Sequence, residues 1–458
     1  MKEETFNVQR STFNVQYPSA PNARPSSTLN VERWKLDVVP VSSLYLHVPF
    51  CAHKCEYCAF YSAVPKEDLV GRYVNSLVRE LELVAHELKP RTVFFGGGTP
   101  SLLNLKQWEQ ILKAFERLGL LGAEEWTVEC NPATVSADKA KLLRDFGVNR
   151  ISMGVQSLDE RLLERLGRIH SREQVFKSFD TLRAAGFANI NVDLMFAIPT
   201  QTMDHWRATL RDANALGSEH LSCYEVIYED DTPLFHQLQA GQFSVDEELT
   251  ETMYEELVST VEANGYRQYE VANFARNARA GDFQSPLRAA TSAPDGGCKP
   301  PALACRHNVN YWRGGQFHAL GPSAAGYVRG VRTKNWSNTQ LYCEQLEKGV
   351  RAIEQREELA PLARAGEIAA FGLRMNIGWG FDEFRTVAGF DLREQWTTDM
   401  DTLVAEGFAV RTADRFHLTP RGLRFADHAA EKFLRSGSTA EAGARDSRRL
   451  GKFLNSSD

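Results

Sequence analysis

The chain has 458 residues, of which 43% are hydrophobic and 10% aromatic, and its formal net charge is −6. These values predict a globular protein of about two to three domains, and the acidic balance gives no support to nucleic-acid binding. No run of about 18 apolar residues and no basic-then-apolar leader is present, so we expect neither a membrane span nor a secretory signal. The eight cysteines follow no regular framework, which favours reduced thiols in a cytoplasmic protein.

Three stretches of the chain lack the apolar periodicity of packed elements. Polar, proline-containing sequence predicts a disordered tail over residues 1–35, and residues 436–458 are predicted to form a flexible tail. Residues 277–304 are rich in Ala, Gly, Pro and Ser, which predicts a disordered insertion. We therefore expect the folded parts to lie between these stretches.

Strand and helix patterns alternate along the first folded part. Six β-prone runs, most of them separated by amphipathic helix-length patterns, predict parallel βαβ units. Because Gly-rich or charged residues follow successive strands, we expect an α/β fold, an incomplete (β/α)6 barrel over residues 36–276 that residues 305–355 complete. The order helix, helix, hairpin, helix predicts a small C-terminal winged-helix-like α+β domain over residues 356–435, with a packing role rather than DNA binding.

Three cysteines, Cys51, Cys55 and Cys58, follow the first predicted strand on one short loop. Three thiolates at this spacing indicate a metal site. A structural zinc needs four protein ligands, and His47 or His53 could complete such a set. A [4Fe-4S] cluster held by three cysteines instead leaves one iron open to an outside ligand, which suits S-adenosylmethionine. The Cys-x3-Cys-x2-Cys spacing resembles that of radical-SAM proteins, so we favour the cluster.

Further motifs resemble one group within the radical-SAM proteins, the group related to coproporphyrinogen dehydrogenase. These motifs are Leu46-His-Val-Pro-Phe-Cys51, Gly96-Gly-Gly-Thr-Pro100, Val128-Glu-Cys-Asn-Pro132, Met153-Gly-Val-Gln-Ser157, Gly167-Arg-Ile-His170 and Val192-Asp-Leu-Met195. The resemblance implies a radical-SAM barrel and places contacts to S-adenosylmethionine, or beside the cluster, at Tyr45, Tyr57, Gly97, Gly98, Thr99, Glu129, Gln156, Arg168 and Asp193. The alternative for each charged residue is an ordinary ion pair or helix cap.

Two branches of this group differ at two places in the sequence. The dehydrogenase branch has a further cysteine two positions after Cys58, where this chain has Phe60. The branch of HemW-type haem chaperones carries His-Asn-x-x-Tyr-Trp, present here from His307 to Trp312. The resemblance therefore implies a haem chaperone whose partners are haem and haem-accepting proteins, membrane-associated ones among them. The alternative is an oxygen-independent coproporphyrinogen III dehydrogenase, which decarboxylates its substrate oxidatively.

The same resemblance implies haem contacts at His307, Asn308, Tyr311 and Trp312. A neutral imidazole can ligate haem iron axially, and the two aromatic rings can flank a flat macrocycle. The alternative, a buried hydrogen-bonded histidine beside two packing aromatics, stays open. Cys305 is a second candidate contact to haem. Downstream, Ser323 and Ala325 stand where the group usually has Gly and His, which puts the geometry of the haem site in doubt.

Overall fold

The computed structural model describes residues 39–277 and 300–434. The predicted tails over residues 1–35 and 436–458 lie outside the described residues, as does most of the predicted insertion over 277–304. Within the described ranges, no helix combines the length and the apolar character that a membrane span requires.

The described residues form strands and α-helices that loops and turns connect. The strands are β1 (Val41–Val48), β2 (Leu88–Gly97), β3 (Glu125–Cys130), β4 (Arg150–Gln156), β5 (Ile190–Phe196), β6 (His220–Glu225), β7 (Tyr266–Gln268), β8 (Asn273–Arg276), β9 (His318–Leu320), β10 (Ala325–Val328), β11 (Val331–Asn335), β12 (Ile353–Glu358), β13 (Trp379–Gly380), β14 (Ala409–Arg411) and β15 (Arg415–Leu418). The α-helices are α1 (Glu67–Val84), α2 (Leu105–Arg117), α3 (Ala137–Asp145), α4 (Glu160–Arg165), α5 (Arg172–Ala184), α6 (Met203–Ala215), α7 (Pro233–Gln239), α8 (Glu247–Ala263), α9 (Arg306–Trp312), α10 (Thr339–Glu347), α11 (Pro361–Leu373), α12 (Phe381–Ala388), α13 (Leu392–Gln395), α14 (Thr397–Ala405), α15 (Pro420–Arg424) and α16 (Ala426–Glu431).

The main sheet confirms the incomplete barrel. Strands β1 to β6 are neighbours in chain order, and each pair is parallel. The sheet does not close, because β1 pairs with β9 on its other side and β6 pairs with the antiparallel strand β8, which in turn pairs with β7. The carboxyl ends of six parallel strands therefore lie at one end of the barrel, where active sites of such folds are found.

The two faces of the sheet differ in character. On β4, Ile151, Met153 and Val155 are fully buried in the core that the sheet shares with the outer helices. The alternating residues Ser152 and Gly154 face the other way, because successive side chains of a strand point to opposite faces. The barrel interior is thus lined by the small, polar and charged positions, among which the predicted cofactor contacts lie.

Residues 305–355 contribute to two sheets. The short strand β9 extends the barrel sheet beside β1, whereas β10, β11 and β12 form a separate antiparallel sheet. Helix α9 lies between the barrel and the C-terminal elements, since its Tyr311 and Trp312 belong to the C-terminal core.

The C-terminal elements have a hydrophobic core of their own. Helices α11 to α16 surround a three-stranded antiparallel sheet in the order β13-β15-β14. Trp379, Trp396, Phe416 and Phe433 are each completely buried in this core. The prediction of helix, helix, hairpin, helix corresponds to α11, α14, the β14–β15 hairpin and α15, while β13, α12, α13 and α16 were not predicted. The winged-helix-like assignment stays a prediction.

Candidate functional site

The cysteine loop leaves the barrel at the end of β1 and is anchored at two points. The backbone N–H of Cys51 donates to the carbonyl of Ala63 at 3.1 Å. Glu56, in the middle of the loop, donates from its N–H to the carbonyl of Leu166 at 3.0 Å and accepts from the N–H of Leu234 at 2.9 Å. These backbone bonds hold the loop over the carboxyl ends of the strands.

All three thiols of the loop are partly exposed. The Thr99 hydroxyl donates to Cys51 Sγ at 3.5 Å, and the Arg168 guanidinium donates to Cys55 Sγ at 3.5 Å. Burial raises the pKa of the Cys51 thiol, and it raises that of Cys58 to about 11. Donors placed on the sulfurs stabilise their thiolate form, the form that binds iron.

The three cysteines fit a cluster better than a zinc site completed by His47. The Nε2 atom of His47 is bonded to the carbonyl of Tyr61 at 2.9 Å and its Nδ1 to the Tyr45 hydroxyl at 3.1 Å, so both ring nitrogens are engaged. In the described ranges, no three or more His, Cys, Asp or Glu side chains are grouped to hold a single ion. A cluster requires no such convergence, because each thiolate binds a different iron.

The Gly-rich motif lets the ends of β1 and β2 come into close contact. Gly97 has a φ of +101°, and a Cβ atom added there would lie 2.3 Å from the ring of His47. A Cβ atom on Gly98 would lie 2.7 Å from the carbonyl oxygens of Val48 and Phe50. Only glycine fits at these two positions, because β1 and the start of the cysteine loop pack directly against the backbone there.

Carboxylates follow on the next strands. Glu129 on β3 accepts a hydrogen bond from the N–H of Gly97 at 3.2 Å. Asp193 on β5 accepts from the Asn191 amide at 2.6 Å and from the Ser152 hydroxyl at 3.2 Å. Burial raises the pKa of the Asp193 carboxyl, against the effect of these donors. Both carboxylates can accept hydrogen bonds from an ammonium group or from hydroxyls of a ligand.

The end of β4 is irregular, and Arg168 covers it. Gln156 has a φ of +67° and follows a register shift in the pairing of β4 with β5. Arg168 donates to the carbonyl of Gly154, while its buried Nε has no hydrogen-bond partner among the described residues. Tyr57 packs against the small apolar cluster that includes Leu166. The predicted cofactor residues on β1 to β5 and the cysteine loop therefore come together at one end of the barrel.

His307 lies elsewhere, inside the barrel and below this site. Its Nδ1 is bonded to the Thr92 hydroxyl at 2.8 Å, its Nε2 to the Tyr311 hydroxyl at 2.7 Å, and its N–H donates to Glu125 at 2.9 Å. Burial, and next the Arg150 guanidinium, lower its pKa to about 3. His307 is thus a buried, neutral and fully hydrogen-bonded histidine, the alternative that the sequence left open. An axial bond to iron requires one of its two ring contacts to break.

The other motif residues of α9 are also buried. Tyr311 contacts Phe317 with ring centroids 4.4 Å apart, and the Arg374 guanidinium lies 5.0 Å from the centroid of Trp312. The side-chain oxygen of Asn308 and Nε1 of Trp312 have no hydrogen-bond partner among the described residues.

Phe94 is a contact that motif analysis missed. Its ring stacks on His307 with centroids 5.2 Å apart and on Tyr45 at 6.2 Å. It therefore links α9 to the first of the predicted cofactor residues. Phe94 lies two residues before Gly96 on β2, so strand alternation would have placed it on the same face as the Gly-rich motif.

Cys305 also lies in the barrel interior. Its Sγ is 3.5 Å from a Glu125 carboxylate oxygen, and its N–H donates to the Tyr269 hydroxyl at 3.2 Å. Burial raises the pKa of this thiol to about 12.

Comparisons with known proteins find similar proteins whose descriptions agree with one another. A family model described as the radical SAM superfamily matches residues 45–213. The "Heme chaperone HemW" of Lactococcus lactis subsp. lactis is 32% identical over 86% of this chain and 97% of its own length. Those of Bacillus subtilis and Escherichia coli are 32% and 30% identical, each over 86% of this chain and 99% of their own lengths.

A solved structure supports the fold. Coproporphyrinogen III oxidase (HemN) from Escherichia coli superposes with a TM-score of 0.72 over 88% of this chain and 91% of its own, at 20% identity. At that identity the likeness concerns the fold alone. The curated relatives, in contrast, match at 30% identity or more over nearly their whole lengths. The chain belongs to the HemW family of radical SAM proteins.

Proposed function

We propose that this protein is a haem chaperone that binds haem and passes it to acceptor haemoproteins. The observation that carries the proposal is the near full-length match to three bacterial proteins named heme chaperone. Two sequence features agree with it, namely Phe60 in place of a further cysteine and the His307–Trp312 motif.

We assign a [4Fe-4S] cluster to Cys51, Cys55 and Cys58, with S-adenosylmethionine beside it. A bound cluster supplies single electrons. Of the surrounding groups, Thr99 and Arg168 stabilise the thiolates through hydrogen bonds to two of the sulfurs. The arrangement leaves the thiols partly exposed, and therefore within reach of a cluster.

The contacts to S-adenosylmethionine are assigned to the strand ends around this loop. Gly97, Gly98 and Thr99 bring backbone without bulky side chains to the strand end, although their N–H groups are bonded within the protein. Glu129 and Asp193 offer acceptors. Tyr45, Tyr57, Gln156 and Arg168 complete the set by proximity to the same end of the barrel. Each residue binds or orients the ligand in this proposal.

The haem-binding assignment covers His307, Asn308, Tyr311 and Trp312. Trp312 and Tyr311 offer aromatic surface at the boundary between the barrel and the C-terminal core. His307 can act as an axial ligand only if it releases Thr92 or Tyr311. Its established contacts give it a second role, which is to hold the Tyr311 ring in place.

We place the activity in the cytoplasm, where the free cysteines of the described residues remain reduced. The acceptors are haemoproteins, with membrane-associated ones included. The test is a haem titration of the purified chain followed by mixing with an acceptor stripped of its haem. We expect saturable binding and then the absorbance spectrum of the haem-loaded acceptor.

A matched assay addresses the dehydrogenase alternative. Anaerobic protein with a reconstituted cluster, dithionite and S-adenosylmethionine is supplied with coproporphyrinogen III. We expect no protoporphyrinogen. Its formation, together with the failure of haem transfer, would replace the chaperone proposal by the enzyme.

A further inference from the structure

A cleft with a cavity of about 70 Å³, enough for the edge of a ligand, lies between α9, the β10–β11 hairpin and α11 and opens to solvent. Its lining is rich in aromatic rings, contributed by Tyr311, Trp312, Phe317, Tyr327 and Phe371. Tyr311 and Phe317 meet edge to face, so their rings present surfaces in two directions. Walls of this kind suit a flat apolar ligand.

Three buried hydrogen-bonding atoms line this cleft without a well-aligned partner among the described residues. They are Nε1 of Trp312, the hydroxyl oxygen of Tyr327 and Nε of Arg364, and the side chains of Tyr327 and Arg364 interact with each other. Buried polar atoms in folded proteins are almost always bonded, so each such exception calls for an explanation. All three groups can donate a hydrogen bond. Three donors around one cleft indicate a ligand that carries acceptors.

The charge in the cleft indicates the sign of that ligand. Arg332 is neutralised, because it forms an ion pair with Glu357 at 2.9 Å and another with Glu367. Arg364 differs, since no carboxylate of the described residues lies within 4.0 Å of its side-chain nitrogens. Its guanidinium carbon is 5.9 Å from the centroid of the Tyr327 ring. An unneutralised guanidinium beside a phenol favours an anionic acceptor such as a carboxylate.

We propose that this cleft binds the carboxylate-bearing edge of a flat aromatic ligand. Arg364, Tyr327 and Trp312 donate hydrogen bonds to the carboxylates, and the aromatic walls pack on the faces of the rings. The inference rests on the proposed function, because haem is a flat macrocycle with two propionates. In this proposal the ligand does not contact His307, which faces the barrel interior. It binds instead on the side of α9 that faces α11. His307 then acts as a positioning residue through its bond to Tyr311.

The test compares two metal-free probes, protoporphyrin IX and its dimethyl ester, by fluorescence titration of the full chain. Neither probe has an iron to ligate, so the comparison isolates the carboxylates. We expect the parent to prefer the diacid. Arg364→Gln and Tyr327→Phe should each weaken the diacid by about tenfold, as loss of a charge-assisted or buried hydrogen bond does, and leave the diester unchanged.

The matched control is Arg356→Gln, which removes one positive charge from an exposed position on β12 of the same small sheet. It should bind both probes as the parent does. Arg364→Lys, which keeps the charge, should recover part of the lost affinity. If Arg364→Gln fails to fold, Tyr327→Phe carries the test, since it deletes a single oxygen atom.

The outcomes separate the inference from the proposed function. If the parent binds haem but neither probe, the inference is overturned while the haem-chaperone proposal stands, because haem can then be held through its iron. If the parent does not bind haem either, the haem-chaperone proposal itself fails. If the parent binds the diacid but both cleft variants behave like Arg356→Gln, the cleft is not the site and the inference is overturned. Equal losses for diacid and diester would also overturn it, because the donors would then serve packing rather than carboxylate recognition.

Discussion

The cofactor end of the barrel and helix α9 both carry distinctive sequence motifs, but their side chains are used differently. Cys51, Cys55 and Cys58 are partly exposed, and the sulfurs of Cys51 and Cys55 accept hydrogen bonds from Thr99 and Arg168. In α9, His307 and Trp312 are only 1% and 3% exposed, and both ring nitrogens of His307 are already bonded.

The comparison shows two physical reasons why a position in a protein can require a particular residue type. At the strand ends most of the predicted contact residues are only partly buried, and the glycines let β1 and β2 pack closely. In α9 the motif residues join the barrel interior to the C-terminal core, so packing alone would already require them. A motif residue can bind a ligand without rearrangement only where one of its atoms is unbonded, which is the case for Trp312 Nε1 and not for the ring of His307.

The largest expected effect comes from the cysteine loop. Cys55→Ala removes one of three thiolates, and the loop has no fourth cysteine to replace it. Iron after anaerobic reconstitution should fall from about four per chain to background. Protoporphyrin binding should persist, because the cleft lies on another part of the molecule. Cys343→Ala, which removes a thiol that α10 buries in the barrel core, is the control and should keep its iron. A fully loaded cluster in Cys55→Ala would contradict the assignment.

The second-largest expected effect comes from the contact between Gly97 and His47 at the strand ends. Gly97→Ala places a methyl group against the ring of His47 at a φ that other residues avoid, which should lower the free energy of unfolding by about 2 kcal/mol or more. Denaturant unfolding measures this change. Gly71→Ala within α1 meets no atom within 4 Å and should stabilise by up to about 1 kcal/mol. Equal effects at the two sites would show that the strand ends are not closely packed.

The third prediction concerns helix α9 and the protonation of its residue His307. Its pKa is lowered to about 3 in the folded chain, so between pH 6.5 and 3 the unfolded chain binds one more proton at this residue. Its contribution to stability is complete above pH 6.5 and is lost as the pH falls. Replacing it by Asn should reduce the slope of stability against pH by about 1.4 kcal/mol per pH unit in this window. An unchanged slope, measured by urea unfolding at several pH values, would mean that His307 is not buried as described.

The smallest effect concerns the turn after β5, next to the cofactor end. The N–H of Gln201 donates to the carbonyl of Ile198 at 2.8 Å, and Thr200 has a φ of +74°. With Pro199 before it, this is the position of a type II turn that glycine normally occupies. Thr200→Gly should therefore raise the free energy of unfolding by about 1 kcal/mol. A loss of stability would show that the Thr200 side chain makes a contact worth more than the strain.

Sequence periodicity and motifs were sufficient for the parallel series β1 to β6 and for the cysteine loop at its end. Strands β7, β8 and β9 were missed, because each has only three or four residues and carries no readable alternation. Of the C-terminal elements, α11, α14, α15 and the β14–β15 hairpin were predicted, but α12, α13, α16 and the contact with α9 were not.

The residues of the candidate site likewise fall into those that the sequence could predict and those that it could not. The residues at the strand ends could be found from motifs, since a local turn or loop positions each of them. The environment of His307 could not, because its partner Thr92 lies 215 positions away in the chain. Tyr327 and Arg364 belong to no motif, and only the packing of the β10–β11 hairpin on α11 brings them to one cleft.

A haem titration followed by visible absorbance, with and without the reconstituted cluster, tests the central claim most directly. If the haem surface and the cofactor end are separate regions of a haem chaperone, both preparations bind haem saturably and with similar affinity. No saturable binding in either preparation, or binding that appears only with the cluster, would contradict the account.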